Sequence, residues 1–434
     1  MVQTFLKVAQ SQETQDTSSP PHVVEIVKTA IAKIRAEGDA AVREFSEKFD
    51  KWSPKSFRLT QEQIDASIAA LPEQTVKDIK QVQANVRRFA EAQRSSLTDF
   101  EIETQPGVIL GQKNVPIEKV GCYIPGGRYP LLASAHMTIL TAKVAGCKKV
   151  IGCTPPILGE IPHASVAAMH LAGADEIYLL GGVQAVAAMA VGTETIDKVH
   201  FLAGPGNAFV AEAKRQLFGE VGIDLFAGPT ELLILADAKA RAHTVACDLL
   251  SQAEHGYDTP VILISTSEQL AMDAIAEVEK QLKTLRTADV ASKSWADHGQ
   301  VIVVSSLDEM YALADQFASE HVQVMTENPR EALTKMSHYG ALFLGEKTCT
   351  SYGDKCIGTN HVLPTRKAAR FTGGLWVGKF LKTCSYQHVI DDEASGELGR
   401  LCGRAARAEN FEGHARSGDV RAHLYLGDKV DWIQ

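Results

Sequence analysis

KVGCYIPGG (119–127), KKVIGCTPP (148–156), EIYLLGG (176–182) and VHFLAGPG (199–206) decide the fold. Each is a short run rich in β-branched or apolar residues that ends in glycine or proline. The segments after them, 134–145, 163–171, 183–191 and 207–217, are alanine-rich and amphipathic. A strand that stops at a glycine turn and hands over to a helix, four times in succession, is βαβ alternation and predicts a parallel, doubly wound sheet. A second series continues it, with ELLILAD (231–237), VILIS (261–265), VIVVSS (301–306) and ALFLG (341–345) as strands around helices near 241–252, 269–282 and 307–318. Two Rossmann-like layers follow. No repeat at a fixed period accompanies them, which disfavours a solenoid.

Outward from these layers the patterns change. Residues 23–49 and 61–93 place apolar side chains at helical spacing, interrupted by Gly38 and entered at Pro72. Beyond Gly345 the alternation breaks into a loop-rich stretch, and 393–426 is helical again. The chain is therefore read as an N-terminal helical arm (1–107), a first Rossmann-like domain (108–230), a second (231–346), and a loop-rich segment with a C-terminal helical tail (347–434). The tail has too little apolar surface to fold alone and is expected to pack on the body or on another subunit.

Composition narrows the function. The 434 residues carry 44 Lys+Arg against 53 Asp+Glu, a net charge of −9, which argues against non-specific binding to nucleic acid or to anionic membranes and points to small-molecule partners. Eight cysteines without a CxxC pair fit neither a zinc ribbon nor a disulfide framework, so most are expected to be reduced and buried, in a cytoplasmic setting. The N-terminus has no continuous apolar h-region, and no stretch approaches the ~20 apolar residues that span a bilayer. At this length an enzyme is the better expectation.

Several residues have side chains suited to chemistry. The glycine turns after the strands are candidate ligand contacts, because ligands of open α/β sheets bind outside the carboxyl ends of the strands; none is a full GxGxxG fingerprint, and such a turn is more often a tight connection than a nucleotide site. In SQAEHG, Gln252 and His255 stand three apart on one helical face, which makes half of a metal site or merely a polar C-terminal turn. Asp354, His361 and His414 would complete a donor set suited to zinc, although spacing alone does not join them. Glu320 and His321, where a helix gives way to the HVQVM strand, are a carboxylate and an imidazole able to divide base work, or a chance surface pair.

These residues, in this order, resemble the histidinol dehydrogenase family. The resemblance runs from about Val24 to Leu426 and rests on GCYIPGG, AKVAGC, GGVQA, AGPGNAFVAEAKRQLFG, DLLSQAEHG, SEHVQV and GDKCIGTNHVLPT. It implies a domain-intertwined homodimer that uses zinc and two NAD+ to oxidise a primary alcohol through an aldehyde to a carboxylate. Gln252, His255, Asp354 and, from the tail of the other subunit, His414 would hold zinc. His321 would take the hydroxyl proton and Glu320 would activate water. Tyr123, Gln184 and Asn207 would contact NAD, and His361 and Glu409 would line the substrate pocket together with the metal ligands and His321.

The sequence also departs from the histidinol-oxidising pattern. Thr230 replaces a serine in the AGPTE block, Ala133 another pocket serine, and Arg128 and Lys355 add positive charge. Positive charge suits an anionic substrate better than a cationic amine. The run PTRKAARFTGGLWVGKFLKTCSYQHV is similar to a divergent branch, the sulfopropanediol 3-dehydrogenases, which oxidise (R)-2,3-dihydroxypropane-1-sulfonate to (R)-3-sulfolactate. The expected substrate is therefore an anionic alcohol, with Thr230 and Lys355 among its contacts. The alternatives are oxidation of L-histidinol to L-histidine, and a non-catalytic subunit that binds zinc and NAD.

Overall fold

The computed structural model describes residues 3–10, 19–126, 130–226 and 228–433. Contacts divide the chain into two units: Met1–Arg94 with Ile117–Phe380, and Ser95–Pro116 with Leu381–Gln434. Strands are numbered along the chain. β1 is Thr4–Lys7; β2 and β3 are Phe100–Gln105 and Val108–Pro116; β4 to β8 are Lys119–Tyr123, Lys149–Thr154, Glu176–Leu179, Phe201–Ala203 and Gly222–Ile223. β9 to β13 are Leu232–Ala236, Val261–Ser265, Gln300–Val303, His321–Met325 and Ala341–Leu344, and β14 is Leu381–Val389.

The first unit holds two sheets. One has five parallel strands in the order β6-β5-β4-β7-β8. The other has the order β1-β11-β10-β9-β12-β13. Counted from its first parallel strand, each runs 3-2-1-4-5, so the chain reverses direction across the sheet between β4 and β7 and again between β9 and β12. The second sheet is mixed rather than wholly parallel, because β1 adds antiparallel to β11 at the edge. Four residues of TFLK near the N-terminus are too few to show this by alternation.

Both faces of the sheets are covered, as near-continuous apolar strands require. Leu232, Ile234 and Ala236 pack on Val245 and Leu249 of helix Ala242–Ala253 and on Leu270 and Val278 of helix Glu268–Leu282. The alternate residues Leu233 and Leu235 face Met310 and Leu313 of helix Leu307–Phe317. In the five-stranded sheet, Ile151, Cys153 and Leu202 share one core with Val186 and Val210, and with Val27, Ile34 and Val42 of helices Pro21–Glu37 and Asp39–Asp50. The expected helix over 134–145 forms with a π-helical turn at His136–Leu140 in its middle.

In the second unit, β14-β3-β2 form an antiparallel sheet, and helices Asp392–Ala408 and Glu412–Leu426 pair closely. Gly399 and Gly418 permit that approach, since a Cβ on Gly399 would lie 2.4 Å from the Gly418 carbonyl oxygen. The strand β14 corrects the expectation that the C-terminal segment is loops and helices only. Its residues LKTCSYQHV are mostly exposed and lack apolar alternation, so the usual strand signal is missing. Among the described residues no helix is long and apolar enough to cross a membrane.

Candidate active site

The register of the second sheet sets the site. Leu232, the first residue of β9, pairs with His321, the first of β12, so Thr230 and Glu231 meet Glu320 and His321 at the amino edge of the sheet. Glu320 Oε2 accepts from Thr230 Oγ1 at 2.7 Å and from the Glu231 amide at 2.9 Å. Glu231 returns the contact, its Oε2 accepting the Glu320 amide at 3.3 Å, while its Oε1 takes the Arg366 amide at 2.5 Å. The Glu320 side chain is thereby fixed from below and from beside.

His321 is 2 % exposed. Its Nδ1 lies 3.0 Å from the Glu231 carbonyl oxygen, which can only accept, so Nδ1 carries the proton of the neutral ring and Nε2 keeps its lone pair. Nε2 is buried with no hydrogen-bond partner, 3.6 Å from Asp354 Oδ1. Burial pushes the imidazole pKa down, but the flanking Glu320 and Asp354 carboxylates outweigh it and hold His321 above the ordinary histidine range. Burial likewise opposes ionisation of Asp354, and His321 and the neighbouring imidazoles hold its carboxyl well below the usual range.

Asp354, on the short helix Thr350–Lys355, gathers two further polar groups. Gln252 Nε2 donates to its Oδ2 at 3.3 Å, and His255 Nε2 stands 3.8 Å from the same oxygen. Among the described residues no group of three or more His, Cys, Asp and Glu side chains is arranged to hold a metal. An amide is the third donor here. With its oxygen turned inward by a half-rotation of the amide, Gln252 joins His255 and Asp354 in an oxygen–nitrogen set of the kind zinc takes. These three residues fit such an ion. Burial lowers the His255 pKa, which keeps it in the neutral, ligating form.

Thr230, His255, Glu320, His321, Asp354, Lys355 and His361 line one pocket with Ala133, Ser134, Pro205 and Gly228. Its volume is about 140 Å³, room for a small polar molecule. Burial lowers the His361 pKa to about 4, and its Nδ1 has no hydrogen-bond partner. The loop bearing it is tied down by Asn360, which donates to the Met137 carbonyl at 2.9 Å.

The implied NAD contacts gather elsewhere, at the carboxyl edge of the five-stranded sheet. Tyr123 ends β4, and its hydroxyl accepts the Gly182 amide at 3.0 Å; burial raises its pKa to about 12, so the phenol stays protonated. Gln184, 1 % exposed, donates to Asp50 Oδ2 at 2.9 Å, and the same oxygen takes the Gly181 amide. Asn207 caps helix Ala208–Leu217, its Oδ1 accepting from the amides of Phe209 and Val210, which leaves only its amide nitrogen for a ligand. Tyr123 and Asn207 stand on either side of the reversal between β4 and β7.

Glu409 and His414 lie in the second unit, both exposed, with the His414 ring edge-on to Phe411 at 5.3 Å. Arg128 falls outside the described residues. The sequence reading missed Glu231, visible only as an acid opening an apolar strand, and Asp50, whose role depends on tertiary contact. It also missed the turn at Arg366 and Lys367, two successive non-glycine residues at φ 52° and 64°, lying against Gly228 of the pocket. Left-handed backbone costs such residues roughly 1–2 kcal/mol each, and strain of this kind clusters at functional sites.

Known proteins resemble this chain over nearly its whole length. The histidinol dehydrogenase family model matches residues 12–422. The chain is 58 % identical over 421 residues to a histidinol dehydrogenase homolog of Shouchella clausii, covering 97 % of this chain and 99 % of that one. It is 47 % identical over 429 residues to the sulfopropanediol 3-dehydrogenase of Ruegeria pomeroyi, covering 98 % of each. The crystal structure of histidinol dehydrogenase from Elizabethkingia anophelis superposes with a TM-score of 0.90 at 35 % identity over 95 % of both chains.

Proposed function

This chain belongs to the histidinol dehydrogenase family of alcohol and aldehyde dehydrogenases, and we propose that it oxidises a small anionic primary alcohol to a carboxylate in two NAD+-dependent steps. The observation that carries the reading is the His321 imidazole: Nδ1 is anchored to the Glu231 carbonyl and Nε2 is left unbonded at the pocket.

His321 Nε2 accepts the hydroxyl proton of the carbinol, and NAD+, when bound, would supply the hydride acceptor. Glu320, its Oε2 anchored by Thr230 and Glu231, presents its other oxygen to a water that attacks the aldehyde. The hydrate then yields the second hydride. Gln252, His255 and Asp354 would hold zinc, with His414 supplied by another copy of the chain, and zinc supplies polarisation of the substrate oxygen. Asp354, were it engaged by such an ion, would pull less on His321, whose imidazole would then hold its proton less tightly. Tyr123, Gln184 and Asn207 would bind NAD+.

The second unit favours a homodimer that shares its sites. Its sheet and helices leave Phe100, Ile102, Leu401, Phe411 and Leu424 between 47 % and 65 % exposed, apolar side chains that a second copy would cover.

Lys355 in the pocket favours an anion, and a relative of almost equal length is a sulfopropanediol 3-dehydrogenase. The substrate proposed is (R)-2,3-dihydroxypropane-1-sulfonate and the product (R)-3-sulfolactate. The pocket carboxylates Glu320 and Asp354 would suit a cationic amine, which keeps L-histidinol as the second reading. Comparing kcat/KM for the two alcohols with zinc and NAD+ decides between them: turnover of histidinol with none of the sulfonate would reverse the choice.

A further inference from the structure

Lys214 and Asp224 are each 3 % exposed, paired with one another, and unused by the chemistry above. Both also grip a single residue. Lys214 Nζ donates to the Gly204 carbonyl at 3.0 Å, and Asp224 Oδ2 accepts the Gly204 amide at 2.7 Å. Asp224 Oδ1 takes the Leu225 amide as well. Gly204 needs such holding. It has φ 121°, and a Cβ there would lie 2.1 Å from the Tyr123 carbonyl oxygen, so the turn after β7 rests directly on the last residue of β4.

We infer that the Lys214–Asp224 pair is a positioning device for the cofactor crevice: by fixing Gly204 at both its amide and its carbonyl, it sets Asn207 against Tyr123 at the reversal between β4 and β7. The inference rests on the NAD+ reading above. The pair is poorly explained as a device for stability. Two charges taken out of water lose more hydration than their attraction reliably returns, and apolar replacement of such pairs is often neutral. Apolar side chains cannot, however, donate to a carbonyl and accept from an amide of the same left-handed glycine. The crevice where the strand order reverses is where dinucleotides lie in open α/β sheets. The turn that Gly204 begins also leads through Pro205, which lines the pocket, to Asn207.

The test is an NAD+ titration, by calorimetry, of the zinc-loaded protein and of the double variant Lys214→Met/Asp224→Leu, with zinc content and thermal midpoint measured alongside. The expected result is an NAD+ affinity about tenfold weaker, the effect of one misplaced hydrogen bond, at unchanged zinc content and similar midpoint. Parental affinity in the double variant overturns this inference alone. Absence of NAD+ binding by the unaltered chain overturns the cofactor reading and this inference with it. Should the double variant not fold, Lys214→Gln, which keeps a donor without the charge, is read by the same titration. A smaller loss of affinity is then expected, and an unchanged one overturns the inference.

Discussion

In the five-stranded sheet the residues implied in cofactor binding stand at the carboxyl ends of the strands, whereas in the six-stranded sheet the residues proposed to carry the chemistry stand at the amino ends, although both sheets run in the same 3-2-1-4-5 order. Helix polarity separates the two edges. Carboxyl ends of strands lead into helix N-termini: Gln184 lies in the first turn of helix Gly182–Val191 and Asn207 caps the next. That edge favours anions such as a pyrophosphate. Amino ends follow helix C-termini: Gln252 and His255 end helix Ala242–Ala253, and Glu320 and His321 follow helix Leu307–Phe317. The partial negative charge there favours a metal ion. Equal topology thus leaves the two sheets with opposite electrostatic tasks.

Treatment with a chelator breaks the comparison hardest. Turnover is expected to vanish and to return with zinc, while NAD+ affinity, set at the other edge, stays the same; full activity in protein verified as metal-free would remove the ion from the account. Next in size is His321→Asn, expected to lower kcat by roughly 10²–10⁴, the range of a general base, again without moving the NAD+ dissociation constant. An unchanged rate of NADH formation would remove His321 from its role. Lys355→Ala is expected to raise KM for the sulfonate by about tenfold with little change in kcat, as loss of one charge-assisted contact does. A KM left in place would make Lys355 a bystander.

The pocket's margin gives a pH test. Burial, with His361 nearby, lowers the His136 pKa to about 4, so the folded protein resists a proton that the unfolded chain takes up near 6.5. Stability is therefore full above the unfolded value and declines as pH falls from about 6.5 toward 4, by up to roughly 3 kcal/mol for this group. Urea midpoints across that window should fall more gently in His136→Gln; parallel curves would contradict the assignment. The smallest effect belongs to the carboxyl edge of the second sheet, where no cofactor is placed: Lys239→Ala is expected to leave NAD+ affinity and kcat alone.

Much of the layered core was legible, because glycine turns such as YIPGG and FLAGPG punctuate the strands and because apolar runs such as LLILA are buried on both faces. The same signal was one-sided. Glycine turns mark carboxyl edges as candidate ligand contacts and said nothing of an amino-edge site; Tyr123 and Asn207 entered only through the family resemblance. Gln252 and Asp354 are 102 residues apart, and their contact exists only through tertiary packing. Glu231 acquires its role from the β9–β12 register, and Lys214 is a lysine on an amphipathic helix until its burial against Asp224 is seen. β14 escaped notice because an exposed strand has no apolar face to announce it.

The account is tested most directly by counting NADH formed per molecule of (R)-2,3-dihydroxypropane-1-sulfonate consumed to completion by the zinc-loaded protein. Two NADH with sulfolactate as the product is the predicted result. One NADH with free aldehyde, or none, would contradict a pocket built for two successive oxidations.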